Sequence, residues 1–277
     1  VDEQPIDVMA PAETAPAATS SVATAAPAVA VPTSRARTRR AGRTDWRLGG
    51  RTVRPWRELT LAWACFSLGV GVLLGFVIST SWASPWASFT ATAVLWLSML
   101  VPVVWAFRRS RPVGLLKFRP IDLLYGLMLG VALRIFQGVV SEMSGAGADF
   151  PTFTTFDGQL PAMWWLTDAA SSVVIAPVVE EFFFRAVILV ALYSALRRPF
   201  GKLTAGLGAG LVSTALFLIV HTVAGSISAD AAVSLAAVGA TCALLVLLTG
   251  RIWGAVLVHI VFNATYFALG LVGTFVG

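Results

Sequence analysis

Pro177-Val-Val-Glu180-Glu181-Phe-Phe-Phe-Arg185 places three ionisable side chains inside an otherwise apolar run from Ala169 to Leu196. A bilayer crossing takes roughly 20 apolar residues, so this run is long enough to span. A charge in hydrocarbon costs several kcal/mol, about 2.5–3.5 on the insertion scale, so it marks a functional site with partners close by. On a helix Glu181 and Arg185 are four apart and share a face, where they can pair. Glu180 is turned about 100° away and has no partner nearby in sequence. A carboxyl so placed suits general acid or base work. A structural polar cluster that ties helices together is the plainer alternative.

Working outward, 57% of the 277 residues are hydrophobic and 12% are charged. Soluble domains carry nearer 25% charge, so the composition is that of a polytopic membrane protein. Cys65 and Cys242 both lie in apolar runs; such cysteines act as small hydrophobes and indicate neither a disulfide framework nor a metal cluster. Residues 1–34 are rich in Ala, Pro, Thr and Ser without periodicity and read as a disordered tail. Nine arginines follow between Arg35 and Arg57. A cytoplasmic juxtamembrane segment that touches anionic lipid is the ordinary reading of such a cluster, and no nucleic acid is expected.

Seven spans are predicted, at 59–79, 86–107, 121–141, 168–196, 204–223, 230–249 and 252–274. Trp82, Trp86, Trp164, Trp165 and Trp253 fall near their ends as interfacial anchors. Pro177 is expected to tilt or kink the fourth span. With the arginine-rich end inside, eighteen of the twenty Lys and Arg residues fall on the cytoplasmic side. They are the nine above, then Arg108, Arg109, Arg111, Lys117 and Arg119, then Arg197, Arg198 and Lys202, then Arg251. The loops 80–85, 142–167 and 224–229 contain none. The expected topology is N-terminus cytoplasmic and C-terminus outside, in the plasma membrane. The chain divides into a tail at 1–58, N-terminal spans at 59–149 and a core at 150–277.

Both histidines are intramembrane. His221 ends Phe217-Leu-Ile-Val-His221, so Phe217 shares its face and can wall a site. His259 is followed at i+4 by Asn263. Each also has a plain reading as a helix–helix hydrogen bonder. At 1.5 Å per residue, Glu180 and His221 lie at matching depth, roughly 25 Å from the basic ends of their spans. His259 lies only roughly 12 Å from Arg251 by the same count, which fits poorly. Arg134, in the third span, is open between snorkelling, pairing with Glu142 and contacting substrate.

Glu-Glu-x-x-x-Arg at 180–185, Phe-x-x-x-His at 217–221 and His-x-x-x-Asn at 259–263 stand in order on three spans. In this they resemble the three motifs of the CAAX protease and bacteriocin-processing (CPBP) intramembrane proteases, relatives of the type II CAAX prenyl endopeptidase. The resemblance covers roughly residues 160–275. One departure is Ala186, where the family usually has Gly. The resemblance implies an all-α intramembrane endopeptidase acting on a membrane-associated protein or peptide. It implies that Glu180 and His221 activate a water, that His259 and Asn263 stabilise the oxyanion, and that Glu181, Arg185 and Phe217 support the site. Glu180, His221 and His259 would also make up a His₂Glu zinc set. A metal-free glutamate mechanism is favoured, because Asn263 is a poor ligand and no His-Glu-x-x-His pair is present. Water is expected to enter through a cytoplasm-facing cavity. The rival readings are a catalytically idle accessory or immunity protein and a proton-coupled transporter.

Overall fold

The computed structural model describes residues 45–48, 53, 55–56, 58–147, 149–225 and 227–276. The expected disordered tail, 1–34, and the arginines up to Arg43 lie outside the described residues. Among those described, the protein is all-helical, with one isolated bridge pairing Phe156 and Gln159. Five helices are long and apolar enough to cross a membrane. They are α1 (Glu58–Ser81), α2 (Ala87–Arg109), α3 (Ile121–Met143), α6 (Ala229–Thr249) and α7 (Trp253–Phe275). Between α3 and α6 the chain is helical from 165 to 200 (α4) and again from 202 to 224 (α5). These two contain the spans expected at 168–196 and 204–223.

The α4–α5 break falls on Arg197-Arg198-Pro199-Phe200-Gly201. Gly201 has φ 78° and ψ 175°, a region open essentially to glycine alone. The chain reverses there. Ser213 Oγ donates to the Phe184 carbonyl at 2.9 Å, while His221, eight residues further along α5, reaches Glu180, four residues further back along α4. Partners in α4 thus fall in number as α5 advances, so the two helices are antiparallel.

Pro177 does not break α4. Trp165–Ile175 is wound as a π-helix, Ala176–Glu181 as an α-helix and Phe182–Leu189 as a π-helix again. The second π stretch leads into the centre of the bundle. Phe183 to Ala191, nine residues in succession, are each at most 1% exposed. A helix covered on every face is the one around which the others pack. By contrast α1 turns Leu59, Phe66, Leu73 and Phe76 outward, at the spacing of one helical face. That is the face a lipid-contacting helix shows.

Close helix crossings rest on glycine. A Cβ on Gly126 would sit 2.5 Å from Leu257 Cβ, and one on Gly130 would sit 2.7 Å from Val261 Cβ. These Gly-x-x-x-Gly positions let α3 lie directly on α7. Gly71 and Gly75 do the same for α1 against α2, at Ser98 and Ala91.

The end of the bundle that carries the basic loops is sealed. Arg251 grips Asp122 through Nε and Nη2, at 3.1 and 2.6 Å, and both side chains are buried. Trp46, in a short 3₁₀ turn (Trp46–Leu48), donates to the Gly250 carbonyl at 3.1 Å. Trp56 donates to the Ala106 carbonyl, also at 3.1 Å. Arg47, expected against lipid, instead donates to the Leu247 and Leu248 carbonyls at the end of α6. There a cation complements the helix C-terminus. Burial pushes the Asp45 carboxyl up, but its hydrogen bonds from Arg47 outweigh this and hold it below the ordinary carboxylate value.

Gly126→Leu and Gly130→Leu will each push α3 off α7. Overpacking of this kind costs about 1–3 kcal/mol, so each variant will melt below wild type in detergent. Gly138→Ala, whose Cβ would meet nothing within 4 Å, will melt no lower than wild type.

Candidate active site

Local helix geometry builds the site. The backbone N–H of Ala176 bonds to the Ser171 carbonyl, five residues back. Continued in that register, the N–H of residue 177 would take the Ser172 carbonyl. Pro177 has no N–H, so the Ser172 oxygen is free. Asn263 Nδ2 of α7 donates to it at 2.7 Å. Because a carbonyl only accepts, this bond also fixes which end of the Asn263 amide is which.

Glu181 and Arg185 stack along α4, with Arg185 Nε 3.3 Å from Glu181 Oε2 and both side chains fully buried. The other Glu181 oxygen meets His259 Nδ1 at 3.1 Å. Arg185 continues to the Gly239 carbonyl of α6 at 3.1 Å. Its guanidinium lies over the Phe217 ring, 4.5 Å from the centroid. That ring also touches His221 and His259, with centroids 4.4 and 5.6 Å away. One carboxylate therefore ties α4 to α7 directly and to α6 through Arg185, while Phe217 of α5 fills the middle.

Glu180 faces the other way, as its 100° offset requires. Its Oε2 is buried and has no hydrogen-bond partner among the described residues. It lies 3.7 Å from His221 Nε2 and 4.0 Å from His259 Nε2. These separations are too long for direct hydrogen bonds. They suit two groups that each reach one shared water at about 2.8 Å. The Phe217 carbonyl lies 2.9 Å from His221 Nδ1. A carbonyl can only accept, so Nδ1 carries the proton, and in the neutral ring Nε2 is a bare acceptor facing Glu180.

These groups open onto a cavity of about 410 Å³ lined by Glu180, His221, His259, Asn263, Arg134 and residues of α2 and α6. The structure thus brings all four sequence-proposed catalytic residues to one space, with Glu181, Arg185 and Phe217 packed behind them. The poor depth match of His259 has a physical cause. The α6–α7 turn is recessed: Ile252 is fully buried, Arg251 is locked on Asp122, and Trp46 lies across Gly250. Depth counted from Arg251 therefore starts inside the bundle rather than at its surface.

Arg134 lines the same cavity and does not pair with Glu142, which is exposed. Its hydrogen bonds go to Thr265, Gln137 and the Phe262 carbonyl, and its guanidinium lies 3.9 Å from the centroid of the Phe262 ring. Ser172 was missed in the sequence reading. The absent N–H of Pro177 was the available signal, but reading it required knowing the π register. For zinc, the donor set fits poorly. Among the described residues no group of three or more His, Cys, Asp and Glu is placed to hold a metal ion. Asn263, which lines the same cavity, is a neutral amide whose Nδ2 is directed to Ser172, and a neutral amide is a poor zinc ligand.

No curated protein and no solved structure matches the chain. Residues 162–265 match the family model described as type II CAAX prenyl endopeptidase Rce1-like. The matched stretch begins at the foot of α4 and runs past Asn263, so it holds every group that meets at Glu180. Residues 162–265 of this integral membrane protein are thus similar to the type II CAAX prenyl endopeptidase Rce1-like family, in keeping with the family its ordered motifs resemble.

Proposed function

We propose that the protein is an intramembrane endopeptidase that hydrolyses a peptide bond of a membrane-associated protein or peptide. The observation that carries this reading is Glu180 Oε2 facing two imidazole nitrogens, at 3.7 and 4.0 Å, across a cavity large enough to admit polypeptide. The family match over 162–265 supports the same reaction class.

The mechanism follows from donors and acceptors. A water between Glu180 Oε2 and His221 Nε2 gives one proton to each acceptor and turns its lone pairs toward the substrate carbonyl. Glu180 takes a proton as the oxygen attacks, which is general-base catalysis. The carbonyl oxygen becomes an oxyanion. Asn263 has a second amide N–H beside the one held by Ser172, and His259 supplies another donor when Nε2 is protonated. In that state Glu180, Glu181, Arg185 and His259 sum to zero charge, so the buried set carries no net charge. Collapse of the tetrahedral intermediate breaks the C–N bond, and the proton on Glu180 passes to the departing amine. Glu181 and Arg185 hold His259 in place.

No metal is needed for these steps. We assign none, because Asn263 completes the set as a hydrogen-bond donor rather than a ligand. Zinc at Glu180, His221 and His259 is the competing assignment, with the chelator assay below as its test.

Glu180→Gln preserves size and removes the base. It will abolish cleavage, read as loss of peptides that wild-type cells release from their membranes, with protein level unchanged. Asn263→Ala will keep residual activity, since one oxyanion donor is typically worth about 10²–10³ in rate. If Glu180→Gln cells show the wild-type peptide profile, the protease reading fails.

Purified enzyme dialysed against 1,10-phenanthroline will keep its activity on a membrane substrate identified from those profiles. Activity lost on dialysis and restored by one equivalent of zinc would replace the glutamate mechanism by a zinc one.

A further inference from the structure

The cavity at Glu180 has a direction. Six helices, α2 to α7, line it, and the lining of each reaches toward the same end of the bundle. Thr92 lies near the start of α2, Gln137 near the end of α3 and Ser172 near the start of α4; His221 lies near the end of α5, Ser234 near the start of α6 and Tyr266 in the second half of α7. Successive helices alternate in direction, so these positions share one side. A second cavity of about 540 Å³ shares Thr92, Trp96 and Ser172 with the first. It continues to Pro85 and Trp86 before α2 and to Pro161 and Trp164 before α4. The two cavities together lead from Glu180 to the loops 82–86 and 144–164, which contain no Lys or Arg.

The opposite end is closed. Trp46 and Trp56 are each 1% exposed, and Asp122 with Arg251 bridges α3 to the α6–α7 turn. That closed end carries the basic loops, which lie on the cytoplasmic side by the positive-inside rule. We propose that the substrate reaches Glu180 from the extracytoplasmic side, as an extended segment of an exported peptide or of a membrane protein's outer portion. It enters between α2 and the start of α4. The proposal rests on the endopeptidase reading for the word substrate, and on the cavity lining and loop charge for its direction. It replaces the cytoplasm-facing cavity through which water was expected to enter.

Cysteine accessibility tests the direction without any proteolysis. The parent is Cys65→Ala; Cys242 is fully buried and stays in place. Ala162→Cys reports the outer cavity, Thr92→Cys the junction and Arg198→Cys the basic loop. A membrane-impermeant thiol reagent added to intact cells will label Ala162→Cys and Thr92→Cys to completion. Arg198→Cys will stay at the parent level until the cells are permeabilised. Labelling of Arg198→Cys in intact cells, or failure of Ala162→Cys to label, overturns the orientation. Failure of Thr92→Cys alone overturns the continuous path. Either result leaves the protease reading standing if Glu180→Gln still abolishes peptide release. Expected labelling with an unchanged peptide profile would remove the protease reading and keep the access route.

Discussion

Glu181 is a fully buried carboxylate shared between Arg185 at 3.3 Å and His259 at 3.1 Å, and the surrounding structure is arranged to keep it paired. In hydrocarbon an isolated charge is costly and finds a partner or neutralises. Glu181 therefore dictates that α7 lie beside α4 at the height of His259. Arg185 then needs its own acceptors and takes the Gly239 carbonyl of α6 and the face of Phe217 of α5. Four helices converge because one carboxylate must be satisfied. Removing a single partner of such a buried pair typically costs about 3–5 kcal/mol. The proposed reacting groups inherit their placement from this cluster. Glu180, one residue earlier, has nowhere to point except into the cavity, and His259 presents Nε2 there because Nδ1 is held.

Much of this was legible in the sequence because hydrocarbon admits few ionisable groups. Glu180, Glu181, Arg185, His221 and His259 stood out against apolar runs, and their helical spacing already paired Glu181 with Arg185. The five apolar helices fall where hydropathy places them. What stayed hidden depended on packing. Arg251 was read as a loop charge, yet Asp122, 129 residues away in sequence, buries it. Arg47 was read as a lipid contact, yet it caps α6. Trp46 and Trp56 sat in an arginine-rich stretch with no periodicity, and nothing local marked them as buried. The π-helical turns are equally silent, because a π and an α winding of the same apolar residues differ by tertiary contacts rather than composition.

Pro177 shows how a local covalent fact shapes the proposed site. Its missing N–H frees one carbonyl, and that carbonyl orients the amide of Asn263. A proline within a spanning helix is tolerated when a neighbour satisfies the freed backbone group. Here the satisfying neighbour is also the proposed oxyanion donor, so one residue change in α4 is coupled to the orientation of a side chain on α7.

The central claim is that Glu180 acts as a base on a water it shares with His221, and not as a nucleophile. Single-turnover cleavage in oxygen-18 water by enzyme prepared in ordinary water tests it directly. The general-base account requires one heavy oxygen in the new carboxyl terminus of the product and none in Glu180, read by mass spectrometry of both. Ordinary oxygen in the product with heavy oxygen in Glu180 would mean that the carboxylate itself attacked the peptide carbonyl, and would contradict the account.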